Sequence, residues 1–517
     1  MTTLHDLLMD PAFEPPGPGH WKLDRSHYPG GTTLVSQWLM TETSLAGTKR
    51  VFAENGVPAE GIDTRFSRGF SYARMRPLVR PDQPTERLPP LAVLRLATRL
   101  HPAFRRREKL ARRSIEHSDA LAVARRWSSE IRPELVARNR ALQDIELGAL
   151  SDSQLEEHLG DLLDHARAQF ELHFWLHGHD LGPIAKYLHQ AVRWGLEPGR
   201  AVSALGGASP STARPGAALF ELRQLVEQSG VPIDSIQSID DLHGLSNKAS
   251  RLLDDYLNEW GHVVCTGYDV TNRTLIELPS VVVRSVLSAT KPEVVDTAAI
   301  ATELAESLPQ ERRAEFAELL HDARFVMDMR DDNGPLTVEW PVGLVRQALL
   351  ETGRRLQQAG SLPDADFIFE LSVAELRNVF RSGPPDSIEL QARAEKRHAD
   401  ARLTPPETLG PVEPEPPIDV LPPFQARLVG MVKTTLEHLG FEGRGGRNPM
   451  EGFGIGNRSY IGTARIATSA EGAIDRLEPG EVLIVRATSP AFNSVLAIAG
   501  AVVTGDGGML SRRSPSP

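Results

Sequence analysis

A proline-rich stretch, LTPPETLGPVEPEPPIDVLPP at 403–423, divides this chain into two parts that read differently. Proline fixes φ and removes a backbone donor, so such a run suits neither a helix nor a central strand. The stretch reads as a semi-extended linker and as the preferred site of proteolytic cleavage. Before it, helical spacing dominates from about residue 91. Segments 119–142, 151–177, 184–194, 216–228, 247–261, 279–287, 296–306, 310–330, 342–359 and 372–379 all read as helices. SDSQLEE, from Ser151, is a helix start of the capping type. From Trp21 to Ser71 the pattern is mixed, with GGTT (30–33) and RGFSY (68–72) as turn or short-strand signals. After the linker, IGTARIAT (461–468), EVLIVRAT (481–488) and AGAVVTG (499–505) are β-like runs between glycine turns, and 491–499 reads as a short helix. The expected fold is α+β and multidomain. Residues 1–19 form an extended N-terminus, 20–402 a mainly helical region, 403–423 the linker and 424–517 a β/α domain.

The bulk properties exclude several classes. A net charge of −11 argues against nonspecific nucleic-acid binding. The single cysteine, Cys265, excludes an internal disulfide and fits a reducing, cytoplasmic setting. The N-terminus lacks a signal-peptide pattern, and no apolar run reaches the ~18 residues of a membrane span. Neither nucleic acid nor membrane is expected as a partner.

The segment LEPGEVLIVRATSPAFNSVLAIAGAVVTGDGGMLS (477–511) resembles the mobile, swivelling domain of phosphoenolpyruvate-utilising enzymes. Pro479-Gly480, Thr488-Ser489-Pro490 and the turn Gly507-Gly508 to Ser511 carry the resemblance. In that family a histidine follows the turn and carries a phosphoryl group between two active sites. Here the position is Arg512, and the sequence ends five residues later. An imidazole offers a lone pair to a phosphoryl group, whereas a guanidinium stays protonated and has none. HWKLDRSHYPGGTT (20–33), LNEWGHVVCTGYDV (257–270) and FIFELSVAELRNVF (367–380) resemble the substrate region of the rifampicin-phosphotransferase and phenylphosphate-synthase branches. Val263 stands where that family often has arginine. The resemblance implies a helical acceptor-binding region followed by a truncated β/α swivelling domain. It implies phosphoryl transfer from ATP through phosphohistidine to a small organic acceptor, with ATP and Mg held by a separate ATP-grasp partner and no cofactor in this chain. Without the carrier histidine the chain is expected to be inactive as a carrier. The alternative is a non-catalytic small-molecule-binding pseudoenzyme. The abrupt change to RRSPSP also suggests a frameshift or premature stop, which would leave the C-terminal domain the weaker part of the fold.

Other candidates are histidines. His165, His173, His177 and His179 lie in DHARAQFELHFWLHGHDLGP. His173 and His177, at i and i+4, share one helix face, which lines an acceptor cleft if it is functional. They lack the glutamate of an HExxH zinc motif, so no metal is expected. His27 and His262 are candidate bases on an acceptor hydroxyl. Gly452, Gly454 and Gly456 mimic a dinucleotide fingerprint but precede a strand-like run, so they read as a turn.

Overall fold

The computed structural model describes residues 13–24, 27–28, 30–117, 119–265, 267–291, 296–439, 459–468, 470–485 and 498–504. These residues form a mixed α+β structure with two small sheets among them.

Near the N-terminus, β1 (Trp21–Leu23), β2 (Ala59–Ser67), β3 (Phe70–Pro77) and β4 (Thr408–Leu409) form an antiparallel sheet in the order β2-β3-β1-β4. The β2–β3 hairpin turns at Arg68 and Gly69, which both have positive φ (52° and 72°), as a two-residue turn matching the strand twist requires. Trp21, Phe70, Tyr72 and Leu409 make its core.

Strand β4 corrects the expectation of a semi-extended linker open to cleavage. Trp21 pairs with Leu409 and Lys22 with Thr408, Tyr72 Oη donates to Pro406 O at 2.9 Å, and Val420 is buried. The prolines flank this two-residue strand and do not sit in it, and β4 lies at the edge of the sheet, where proline disturbs pairing least.

The helical body contains α1 (Leu34–Asn55), α2 (Leu91–Leu100), α3 (Pro102–Glu116), α4 (Asp119–Arg126), α5 (Arg132–Gln143) and α6 (Asp152–Arg193). It continues with α7 (Pro198–Ser203), α8 (Pro210–Ser229), α9 (Ile239–Gly244), α10 (Asn247–Trp260), α11 (Pro279–Ser288), α12 (Thr297–Glu306), α13 (Gln310–Phe325) and α14 (Met327–Gly334). Then follow α15 (Trp340–Gln358), α16 (Val373–Leu376), α17 (Val379–Ser382), α18 (Ser387–Asp400) and α19 (Pro423–Leu439).

Helix α6, 42 residues long, is the central strut, and α1, α13, α14, α15 and α19 pack against it. Its start is a capping box: Ser151 Oγ accepts from Gln154 N, and Gln154 Oε1 accepts from Ser151 N. The predicted pair 151–177 and 184–194 is one helix, running through the buried Pro183. Because α19 packs on α3 and α6, residues 423–439 belong to the helical body and not to the C-terminal unit.

That unit contains β5 (Ala464–Ala467), α20 (Ala470–Arg476), β6 (Val482–Val485) and β7 (Ala501–Thr504). The strands are parallel, in the order β5-β6-β7. Its apolar residues Leu477, Leu483 and Ile498 share one core with Leu222 of α8 and Val282 of α11. Arg284 of α11 also donates to Leu477 O at 3.2 Å, so the sheet is docked on the helices.

Candidate functional site

Two π-helical turns, Trp127–Ile131 before α5 and Pro335–Glu339 before α15, lie close together in this fold. A π turn inserts one residue into the helical ladder, widens the groove beside it and recurs at functional sites. Arg132, just after the first turn, pairs with Asp332, just before the second. Asn139 Nδ2 donates to Leu336 O at 3.0 Å.

Beside this junction lies a cavity of about 210 Å³. Helix α5 contributes Arg132 and Arg140, α8 Arg214, α10 Trp260, and the start of α15 Trp340. Arg214 pairs with Glu259 at 3.2 Å. The Arg140 guanidinium lies 5.8 Å from the Trp340 ring centroid, within cation–π range, and the indole donates to Gln143 Oε1 at 2.9 Å. Among the described residues no carboxylate forms an ion pair with Arg140, so it is the cavity's free cation. Burial raises the pKa of Asp332 despite the adjacent Arg132. The cavity thus offers two indoles, two internally paired arginines and one spare cation. That chemistry suits a small, partly aromatic or anionic organic ligand.

The WGH segment borders this cavity, since Trp260 and Val263 line it. Burial lowers the pKa of His262, between them, and Arg140 lowers it further. Its carbonyl packs against Gly343 of α15 so closely that a Cβ there would stand 1.7 Å away. Farther along, Asp269 holds the N-cap of α1, and Glu277 makes a two-point ion pair with Arg346 (2.8 and 2.9 Å). Arg346 also donates to Val270 O at 3.1 Å.

The other candidate histidines fall elsewhere. His27 Nδ1 meets Asp24 Oδ2 at 2.8 Å, and its ring lies 5.4 Å from Tyr268. His173 and His177 do share a face, with ring centroids 4.4 Å apart. His173 Nδ1 is 3.2 Å from Thr337 Oγ1 in the second π turn, and His177 Nδ1 is 2.9 Å from Asp180 Oδ2. His165 Nε2 meets Asn139 Oδ1 at 2.7 Å. Since the Asn139 amide nitrogen donates to Leu336, its oxygen faces His165, which fixes the Nε2–H tautomer. Burial, aided by Arg138, pushes His165 down to about 4. His179 and Trp175 both donate to Glu54 Oε2, at 3.1 and 2.6 Å. From different sides of the helix, these side chains therefore tie α6 to α1, α5 and the second π turn.

Thr488, Gly507, Gly508, Ser511 and Arg512 lie outside the described residues, as do Gly452, Gly454 and Gly456. Among the described residues no group of three His, Cys, Asp or Glu side chains is placed to hold a metal. Also among them, no helix is long and apolar enough to cross a membrane. Sequence reasoning missed Arg132, Arg140, Arg214, Asp332 and Trp340. They are scattered over some two hundred residues, and only the WGH segment pointed to this place. Scanned against protein-family models, the chain matches none, and a search of curated proteins returns no match.

Proposed function

We propose that this chain is the acceptor-binding part of a phosphoryl-transfer system of the phosphoenolpyruvate-utilising type, and that the cavity at the π-turn junction holds the acceptor. The phosphoryl group originates on ATP, bound with Mg by a separate ATP-grasp partner, and reaches a small organic hydroxyl through a phosphohistidine. The observation that carries this reading is in the C-terminal sheet. Val485 and Thr504 are register partners at the same end of parallel strands β6 and β7. The Thr488-Ser489-Pro490 and Gly507-Gly508 motifs each begin three residues beyond those ends. Ligand sites of parallel α/β sheets lie beyond the carboxyl ends of their strands. With Val263 at the family's arginine position, Arg140 supplies a cation to the acceptor cavity. Arg512 keeps this chain from being the carrier.

Phosphoramidate, a small P–N donor, stands in for phosphohistidine in the test. With a panel of phenols and hydroxy acids, the chain should accelerate formation of a phosphate monoester, read by phosphorus NMR, and R140A should not. The P–N bond breaks, the hydroxyl oxygen bonds to phosphorus, and its proton leaves with ammonia. The second reading, a binding protein without catalysis, is favoured by Arg512 and gains if the chain binds panel members without accelerating transfer. Absence of both binding and transfer contradicts both readings.

A further inference from the structure

Helix α2 is built inside out. Thr98 is its one buried residue, at 6% exposure, and it donates to Val420 O, while Arg95 on the same side pairs with Asp419. On the opposite face, Val93 (53% exposed), Leu96 (59%) and Leu100 (63%) follow the i, i+3, i+7 spacing of one stripe. A helix that only served the core would turn these leucines inward.

The charge around it is equally lopsided. Across α2 and α3, from Leu91 to Glu116, there are eight Lys or Arg (95, 99, 105, 106, 107, 109, 112, 113) and two acidic residues, Glu108 and Glu116, in a chain of net charge −11. Arg99, Arg105, Arg106 and Lys109 are exposed; Arg112 and Arg113, also exposed, pair with Glu116 and Asp119. Helix α3 holds its other face, Arg107, Ala111 and Ile115, inward, so its basic side is presented to solvent beside α2.

We propose that α2 and α3 form a peripheral docking surface for an anionic phospholipid bilayer: α2 lays its Val93–Leu96–Leu100 stripe into the headgroup boundary, and the arginines of α3 meet the acidic headgroups. An apolar stripe flanked by cations is the pattern of interfacial helices, and hydrophobic burial and charge attraction act together there. The buried Thr98 and the Arg95–Asp419 pair fix which face points outward. This surface departs from the expectation that a membrane is not a partner, and it is independent of the phosphoryl-transfer reading.

The test is co-sedimentation of the full chain with vesicles of phosphatidylcholine alone and of equal parts phosphatidylcholine and phosphatidylserine. Binding is expected on the mixed vesicles only, weakening as salt rises. L96S/L100S should lower the bound fraction at least about tenfold, since each buried leucine contributes that order of affinity. R105Q/R106Q should weaken binding while leaving circular dichroism unchanged. As a second measurement, L96C carrying an environment-sensitive dye should shift its emission blue on mixed vesicles; the native Cys265 is buried and stays unlabelled. The proposal fails if neither vesicle binds, if binding ignores L96S/L100S, or if the stripe instead mediates a concentration-dependent dimer that L96S/L100S abolishes.

Discussion

The carboxylate of Asp269 holds the N-cap of a helix 236 residues earlier in the chain, accepting from Thr33 N at 2.8 Å and Thr33 Oγ1 at 3.0 Å. Its other oxygen accepts from Thr271 N and Oγ1, at 2.9 and 2.8 Å. One buried side chain thus joins the segment after the WGH motif to the start of α1. Asp269→Ala strands these donors in the interior and should cost about 2–4 kcal/mol in urea unfolding. A loss below about 0.5 kcal/mol, the scale of a neutral surface change, contradicts this role.

Gly343 sets the contact between α15 and the cavity's rim. Gly343→Ala drives a Cβ into the His262 carbonyl, which is backbone and cannot swing away. A loss of about 3 kcal/mol or more is expected, beyond ordinary overpacking. Gly182→Ala, where a Cβ meets nothing within 4 Å, is the control and should be neutral or stabilising. Equal effects of the two substitutions would refute the close approach.

His165 gives stability a definite pH dependence. Its folded pKa, about 4, lies below the unfolded value of about 6.5, so the unfolded chain binds the proton more readily between them. Its contribution is complete above pH 6.5 and is lost as pH falls towards 4. Burial lowers His158, His179 and His262 as well, with the same sign. His165→Gln should flatten the unfolding profile between pH 6.5 and 4, and the wild-type ring should not titrate by NMR above pH 5. A titration near 6.5 contradicts the buried, neutral tautomer.

The proline-rich stretch 403–423 should resist proteolysis, because β4 pairs with β1 and Val420 is buried. Limited digestion that first cuts within 403–423, mapped by mass spectrometry, would show that this edge is undocked.

Much of the helical body was legible because its apolar residues keep a helical period; α10, α11, α12 and α15 lie within a few residues of their expected spans. Helix α1 was not, because small and polar residues share its packed face with Val35, Leu39, Met40 and Val51 and blur the apolar period. Ser36, Thr43, Ser44, Gly47 and Thr48 are all buried, and Gly47 lets α6 approach so closely that a Cβ would meet Glu171 O at 2.4 Å. Of the β2–β3 hairpin only the RGFSY turn was legible, for a related reason: Asp63, Arg74 and Arg76 are buried in its strands, and an Arg76–Glu60 pair at 2.8 Å replaces apolar alternation. The docking of the proline run was not legible, because an edge strand's partner is invisible from local sequence. The cavity was legible only at Trp260 and Val263 of the WGH segment, since its arginines come from helices far apart in the chain.

The cavity at the π-turn junction is the central claim, and ligand-induced thermal stabilisation tests it most directly. Small phenols, hydroxy acids and their phosphate monoesters should include compounds that raise the melting temperature of the native chain by mass action. That shift should vanish in R140A and W260A, which remove the free cation and one aromatic wall. A panel without a stabilising compound, or shifts that survive both substitutions, would contradict it.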